Sequence, residues 1–383
     1  MHIFVPREGK AGERRVAIVP DVIAKYSRAG FTVAVEGGAG VHALADDESL
    51  RSAGATIASA SEISKADVVL SVNPLTAEQF SQLKNGVITI SFLSPNQSLD
   101  AISASAKAGA TSFSLELVPR ISRAQSMDAL TSQALCAGYR AALVAAELAP
   151  RFFPLLMTAA GTVTPANVVV LGAGVAGLQA IATARRLGAV VSAYDVRPAS
   201  ADEVRSMGAT FIDLQLEALD GAGGYAREMS EERAAKQREL LTPYLANADV
   251  VITTAAVPGR PAPRLVTEEM VAAMKPGAVV VDLAAESGGN VAGSTPGEIT
   301  ERNGVRIWGG KDVPSQLPFH ASQLFAKNCM NLLMLMVKSE EGKSSLHLDF
   351  GDEIIAASAV THQGEVRHEG AKASLANSSG GAR

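Results

Sequence analysis

Short apolar runs rich in valine and isoleucine recur along this chain, separated by stretches with apolar positions at helical spacing. Runs at 3–5, 31–35, 66–72 and 86–92 predict strands, and 22–29 predicts a helix that Gly30 ends. The alternation returns at 168–171, 177–187 and 189–194, then at strands 249–253, 278–282 and 305–308. Strands alternating with helices predict parallel sheets with helices on both faces. Two longer helical patterns, 126–152 and 321–338, flank this second set, and 331–336 reads as a buried helix face. Residues 157–162 read as a loop and 346–366 as a strand and hairpin. The small, polar tail from 371 reads as disordered. No repeat at solenoid spacing is visible.

One junction carries chemistry. Val168-Val169-Val170-Leu171 leads into Gly172-Ala173-Gly174-Val175-Ala176-Gly177, a strand, a glycine turn and a helix start. Gly172 permits the tight turn, Gly174 lets backbone approach a pyrophosphate, and Gly177 lets helix and strand pack closely. Phosphates then sit over the free N–H groups of the helix N-terminus, where the helix dipole favours negative charge. Asp195 closes the next strand, about 20 residues beyond the glycines, where an acid hydrogen-bonds an adenosine ribose. A carboxylate there repels a 2′-phosphate, so the expected nucleotide is NAD(H) rather than NADP(H). Arg197 is able to pair with a phosphate, but beside Asp195 it reads as a solvent-facing or pyrophosphate-side charge. The expected fold is α/β: two Rossmann-like parallel-sheet domains with a cleft between them. The flanking helices make the first domain discontinuous, 1–130 with 321–383, and leave 131–320 as the NAD(H)-binding domain. The first domain lacks the glycine turn, so a second dinucleotide site there is unsupported.

Composition narrows the classes. A chain of 383 residues favours two domains. A net charge of −5 and 4% aromatic residues offer neither the basic surface nor the stacking platforms of a nucleic-acid binder. Arg7, Glu8 and Lys10 break up any signal-peptide core, and no apolar run is long enough to span a bilayer. Cys136 and Cys329 lack metal-ligand spacing, so a metal is not expected, and both read as reduced structural thiols. The six histidines form no metal or triad pattern.

At Arg120-Ile121-Ser122-Arg123-Ala124-Gln125-Ser126-Met127-Asp128 a resemblance becomes specific. With the glycine turn and Asp282-Leu283-Ala284-Ala285-Glu286-Ser287-Gly288-Gly289-Asn290, the chain resembles the NAD(H)-binding components of proton-translocating NAD(P) transhydrogenases. The likeness covers nearly the whole chain. It implies an oxidoreductase of the Re/Si-specific type in which hydride passes directly between NAD(H) here and NADP(H) on a partner component. A separate membrane-spanning component would couple the transfer to proton translocation. It also implies a homodimer, cytoplasmic and peripheral on the membrane through its partners. Carried over by position, Arg120, Gln125 and Asp128 would orient the nicotinamide and its ribose, and Tyr139 would support that loop. Ile121, Ser122, Arg123 and Thr131 would join the cofactor-binding set. Gly172, Ala173, Gly174, Val175 and Gly177 would line the pyrophosphate, and Asp195, Val196 and Arg197 the adenosine side. Gly224 and Tyr225 would lie on a mobile flap, Gln237 at its return, and Ala256 beside the nucleotide.

Alanine dehydrogenases are a related family, and Arg15 matches the arginine that in them holds the substrate carboxylate. Amino-acid oxidation needs a positioned acid or base. The resemblance implies a lysine and a histidine for this in the first domain and an aspartate in the second; this chain has Asn73-Pro74, Phe92-Leu93-Ser94 and Glu286 there. Direct hydride transfer between two nicotinamides needs apposition and exclusion of water, not a protein acid or base. Transhydrogenation is therefore the favoured reading. An alanine-dehydrogenase-like enzyme is the first alternative, and a non-catalytic NAD-binding sensor the second.

Overall fold

The computed structural model describes residues 1–216, 230–256, 261–340 and 343–380. The chain divides into two compact units, 1–133 with 315–383, and 134–314.

The first unit is built on an eight-stranded sheet. From edge to edge it runs Glu365–Val366, Ala359–His362, Thr111–Ser114, Ile88–Ser91, Val68–Leu70, His2–Val5, Thr32–Glu36 and Thr56–Ala58. The six strands from the N-terminal part are parallel. The two C-terminal strands add on antiparallel. Central strands such as Val68–Leu70 and the Ile3–Val5 part of His2–Val5 are unbroken apolar runs because both faces are covered. Ile3, Val35, Leu70 and Ile90 face one layer with Phe325, Leu332 and Leu333 from the helix Pro318–Met334. Phe4, Ala34, Val69 and Val87 face the other with Phe80 and Leu83. A helix from the last third of the chain therefore completes a core begun by the first residues.

The second unit carries a seven-stranded sheet. Its order is Thr210–Phe211, Val190–Tyr194, Asn167–Leu171, Val250–Thr253, Val279–Asp282, Val305–Gly309 and Ile299–Arg302. Only the last strand is antiparallel. Val168, Val170 and Ile252 pack on one face with Ala141, Ala142 and Ala145 of the helix Ala129–Leu148. Val169, Leu171 and Val251 pack on the other with Leu241 and Leu245 of the helix Glu231–Ala246. In both sheets the sheet's own first strand lies in the interior, its second and third lie to one side, and its fourth lies to the other. That is the doubly wound order, and its switch point, between first and fourth strands, is where such sheets bind ligands.

Three segments differ from the sequence expectations. Residues 157–162, expected as loop, lie in a hairpin of Leu156–Thr158 with Gly161–Val163. Its turn closes because the Thr158 hydroxyl accepts from the Ala160 N–H at 3.1 Å and Gly161 adopts φ +132°. The 346–366 stretch contains a helix, Glu353–Ser358, as well as strands, because Asp352 caps it by accepting from the Ile354 N–H. The tail from 371, expected to be disordered, is helical over Glu369–Gly380. Ala371 is fully buried with Leu93, Ile102 and Val360, and this contact orders the segment. Cys136 and Cys329 are buried thiols, and burial pushes the Cys329 thiol up.

Candidate nucleotide site and the 120–128 loop

The glycine turn sits at the switch point of the second unit. Gly172 has φ +99°, and a side chain there would strike Thr254 and Ala255. A Cβ on Gly177 would lie 1.9 Å from the Gly172 carbonyl oxygen, so only glycine lets the helix Val175–Arg186 start this close to the strand. Gly174 is different in kind: a Cβ there meets no atom within 4 Å. Its bare backbone faces open space at the N-terminus of a 12-residue helix, a cradle that fits a pyrophosphate. Thr254 ties the neighbouring strand end to the turn: its N–H reaches the Leu171 carbonyl and its hydroxyl the Gly172 carbonyl. Ala256 follows in the same segment and is exposed.

Asp195 stands where the next strand ends, side by side with the turn. Its Oδ2 accepts from the Ala173 N–H at 2.7 Å. The Arg197 side chain grips the same carboxylate, Nε to Oδ1 at 2.9 Å and Nη2 to Oδ2 at 3.0 Å. Arg197 is therefore folded onto Asp195 rather than directed at solvent. Beyond lies a small cavity of ≈ 160 Å³ lined by Tyr194, Asp195, Val196, Leu214 and Arg233, among others. Gln237 is buried, and its Oε1 accepts from the Tyr194 hydroxyl at 2.9 Å, which fixes one wall of this cavity. Burial raises the Tyr194 phenol, Arg233 opposes that, and Asp195 adds to it. Gly224 and Tyr225 lie outside the described residues.

The loop 120–128 belongs to the first unit. Ser122–Met127 forms a single 3₁₀ stretch whose Ala124 and Met127 are buried anchors, while Arg120, Ser122, Arg123 and Gln125 are exposed and Ile121 is half-buried. Asp128 caps the following helix, accepting from the Thr131 N–H at 2.8 Å and the Thr131 hydroxyl at 2.7 Å. Arg123 makes a bidentate pair with Asp352, both contacts 2.8 Å, so its side chain braces the loop's base. Tyr139 lies about three turns further along the helix and is 41% exposed.

Several residues that hold these features escaped the sequence reading. Asn328, nearly buried, donates to the Ser126 carbonyl at 2.9 Å and accepts from the Ser132 hydroxyl, fastening the loop to the helix Pro318–Met334. Asn290, fully buried, accepts from the Ala255 N–H and donates to the Ala255 and Pro263 carbonyls. Gly138 lets the helix Ala129–Leu148 meet the dinucleotide helix: a Cβ there would lie 2.0 Å from the Ala176 carbonyl oxygen. A lone glycine inside a helical pattern was the available signal for this contact.

The switch point of the first unit is filled differently. Glu8 follows the central strand, and its carboxylate accepts from the Val72 N–H at 2.5 Å, the Asn73 N–H at 3.2 Å and the Asn73 amide at 3.0 Å. Burial holds the Glu8 carboxyl above its usual range, and nearby Glu13 adds to this against the hydrogen bonds. Arg15 is buried and forked onto Glu13, Nε to Oε1 at 2.8 Å and Nη2 to Oε2 at 2.6 Å, with Nη1 on Gln133. Burial alone would raise Glu13; Arg15's hydrogen bonds and charge overcome that and hold it at about 2. Ser94 donates to Glu116 through its N–H at 2.9 Å and its hydroxyl at 3.2 Å. In the second unit, Glu286 accepts from the Asp312 N–H at 2.9 Å.

Residues 4–137 match the family model for the alanine dehydrogenase/PNT N-terminal domain, and 141–369 match that for the alanine dehydrogenase/PNT C-terminal domain. The chain belongs to the alanine dehydrogenase/PNT family. Within the family it is 48% identical over 378 residues to a Rhodospirillum rubrum chain, the first of the pieces that make up NAD(P) transhydrogenase subunit alpha there, covering 96% of this chain and 98% of that one. It is 34% identical over 301 residues to alanine dehydrogenase of Mycobacterium tuberculosis, covering 77% of this chain and 76% of that one. A crystal structure of transhydrogenase from Sinorhizobium meliloti superimposes with a TM-score of 0.84 at 44% identity, over 96% of this chain and 99% of that one. Family membership and these relatives make the chain an oxidoreductase with a Rossmann-like nucleotide-binding fold.

Proposed function

We propose that this chain is the NAD(H)-binding subunit of a proton-translocating NAD(P) transhydrogenase. Hydride passes directly between NAD(H) held here and NADP(H) held on a partner component. The observation that carries the reading is the Gly172–Gly177 turn with Asp195 beside it, in a chain whose first unit binds Asn73 and Ser94 to its own carboxylates. The turn supplies dinucleotide binding, and the first unit offers neither a lysine nor a histidine at positions 73 and 94 to move protons. In this reading the Arg120–Asp128 loop orients the nicotinamide, and a separate membrane-spanning component couples the transfer to proton movement. The assembly also holds a second copy of this chain and lies on the cytoplasmic side of the membrane.

Alanine oxidation is disfavoured by the same geometry. Three of the five Arg15 guanidinium N–H groups are engaged by Glu13 and Gln133. The deciding experiment mixes this chain with a soluble NADP(H)-binding component and follows hydride transfer from NADH to NADP⁺ spectrophotometrically. Transfer is expected only in the mixture. No transfer with both nucleotides shown to be bound, or robust NADH oxidation by this chain with pyruvate and ammonia, defeats the proposal.

A further inference from the structure

Asp195 already carries as many hydrogen-bond donors as a carboxylate can take. Its Oδ1 accepts from the Arg197 N–H at 2.9 Å and the Arg197 Nε at 2.9 Å. Its Oδ2 accepts from the Ala173 N–H at 2.7 Å and the Arg197 Nη2 at 3.0 Å. A carboxylate offers about four lone-pair sites, and all are taken. Recognising a ribose through this acid requires one or two of those sites for the sugar hydroxyls. Two of the four donors are backbone groups in the turn and the strand end. The other two sit on the flexible Arg197 side chain, whose exposure is 21% against 8% for Asp195. Of the four, only the guanidinium can leave without unmaking local backbone.

We infer that the Arg197 guanidinium competes with the adenosine ribose for Asp195, and that this competition sets nucleotide choice. The inference rests on the second unit binding NAD(H). When NAD(H) enters, its ribose hydroxyls displace the guanidinium from the carboxylate. When NADP(H) approaches, Asp195 acts against it twice. Its charge repels the 2′-phosphate, and its grip keeps from that phosphate the Arg197 guanidinium, a cation suited to bind it bidentately. Asp195 thus works partly as a restraint on Arg197, and Arg197 is a specificity-determining residue that acts through Asp195.

A double-mutant cycle on the full chain tests this, with Kd for NADH and NADPH read from nucleotide fluorescence. Asp195→Ala releases Arg197, and NADPH affinity is expected to rise about tenfold, the equivalent of one charge-assisted hydrogen bond. Arg197→Ala is expected to bind NADH at least as tightly as the parent, because the competitor is gone. The Asp195→Ala/Arg197→Ala protein is expected to lose the NADPH gain. If the double variant keeps that gain, only repulsion was removed and the inference fails. It fails equally if Arg197→Ala weakens NADH binding tenfold, since Arg197 then holds the nucleotide. Asp195→Asn replaces Asp195→Ala if the latter does not fold. Parent NADH binding in the same titrations tests the underlying reading separately; the cycle is read from differences among variants.

Discussion

The two switch points of this chain share a topology and differ in what fills them. After Asn167–Leu171, Asp195 takes the Ala173 N–H but Gly174 faces open space, and Thr254 ties the neighbouring strand end to the turn. After His2–Val5 the corresponding gap is closed by Glu8, whose carboxylate accepts the N–H groups of Val72 and Asn73. A cavity of ≈ 540 Å³ remains beside it, lined by Arg7, Lys10, Pro74 and Thr76 among others, but the backbone donors at the strand end are already satisfied. The doubly wound sheet thus provides the position for a ligand, and a few residues decide whether the chain itself occupies it. One unit leaves Gly174 open at a helix N-terminus, and the other binds its strand-end donors to its own Glu8 carboxylate.

The sharpest way to break this comparison is inside the glycine turn. Gly177→Ala places a methyl against the Gly172 carbonyl oxygen and is expected to destabilise the second unit by about 3 kcal/mol or more. Gly174→Ala meets nothing, so the melting temperature should hold while NADH binding falls about tenfold as the methyl enters the phosphate position. If Gly174→Ala binds NADH like the parent, the bare backbone is not a phosphate cradle, and the contrast between the switch points loses its functional half.

The next test addresses the filled site. Glu13→Gln removes the charged partner of buried Arg15 and is expected to cost about 3 kcal/mol, read by denaturant unfolding. Its pH dependence has a definite sign. The Glu13 carboxyl sits at about 2 when folded, against 4.5 unpaired, so its contribution is complete above pH 4.5 and is lost as pH falls towards 2. Glu8 acts in the opposite sense, because its carboxyl is raised and its buried charge is relieved by protonation. Between pH 5 and 3 the parent should lose stability more steeply than Glu13→Gln; parallel curves would show that the pair does not hold this site.

The smallest effect separates binding from chemistry. Gln125→Ala, in the exposed loop of the first unit, should slow hydride transfer about tenfold in the reconstituted mixture while NADH affinity stays within about threefold. Equal losses in rate and affinity would make Gln125 a binding residue rather than an orienting one.

Much of this was legible because both sheets are buried on both faces. That burial turns strands such as Val68–Leu70 into unbroken apolar runs, and the glycine spacing then places the turn. What escaped detection depends on contacts distant in sequence. The helix Glu369–Gly380 looks like a polar tail until Ala371 is seen against Val360 and Ile102. Asn328 and Asn290 are ordinary amides in the sequence, and their work is to satisfy carbonyls of Ser126, Ala255 and Pro263 far away in the chain. Gly138 means close helix contact only once Ala176 is placed beside it. Arg197 reads as a solvent charge because sequence spacing does not show where a side chain folds.

The split first unit also sets an order of events during synthesis. Phe325, Leu332 and Leu333 complete the core around Ile3, Val35 and Leu70, yet the ribosome makes them long after those residues. Residues 134–314 can collapse as a contiguous unit while 1–133 wait for their closing helix. At ordinary elongation rates of about 5–20 residues per second, that wait is roughly 10–40 s. Throughout it, the β-rich segment 1–133 has one layer of its sheet uncovered, so that segment carries the risk of aggregation until the helix Pro318–Met334 has emerged.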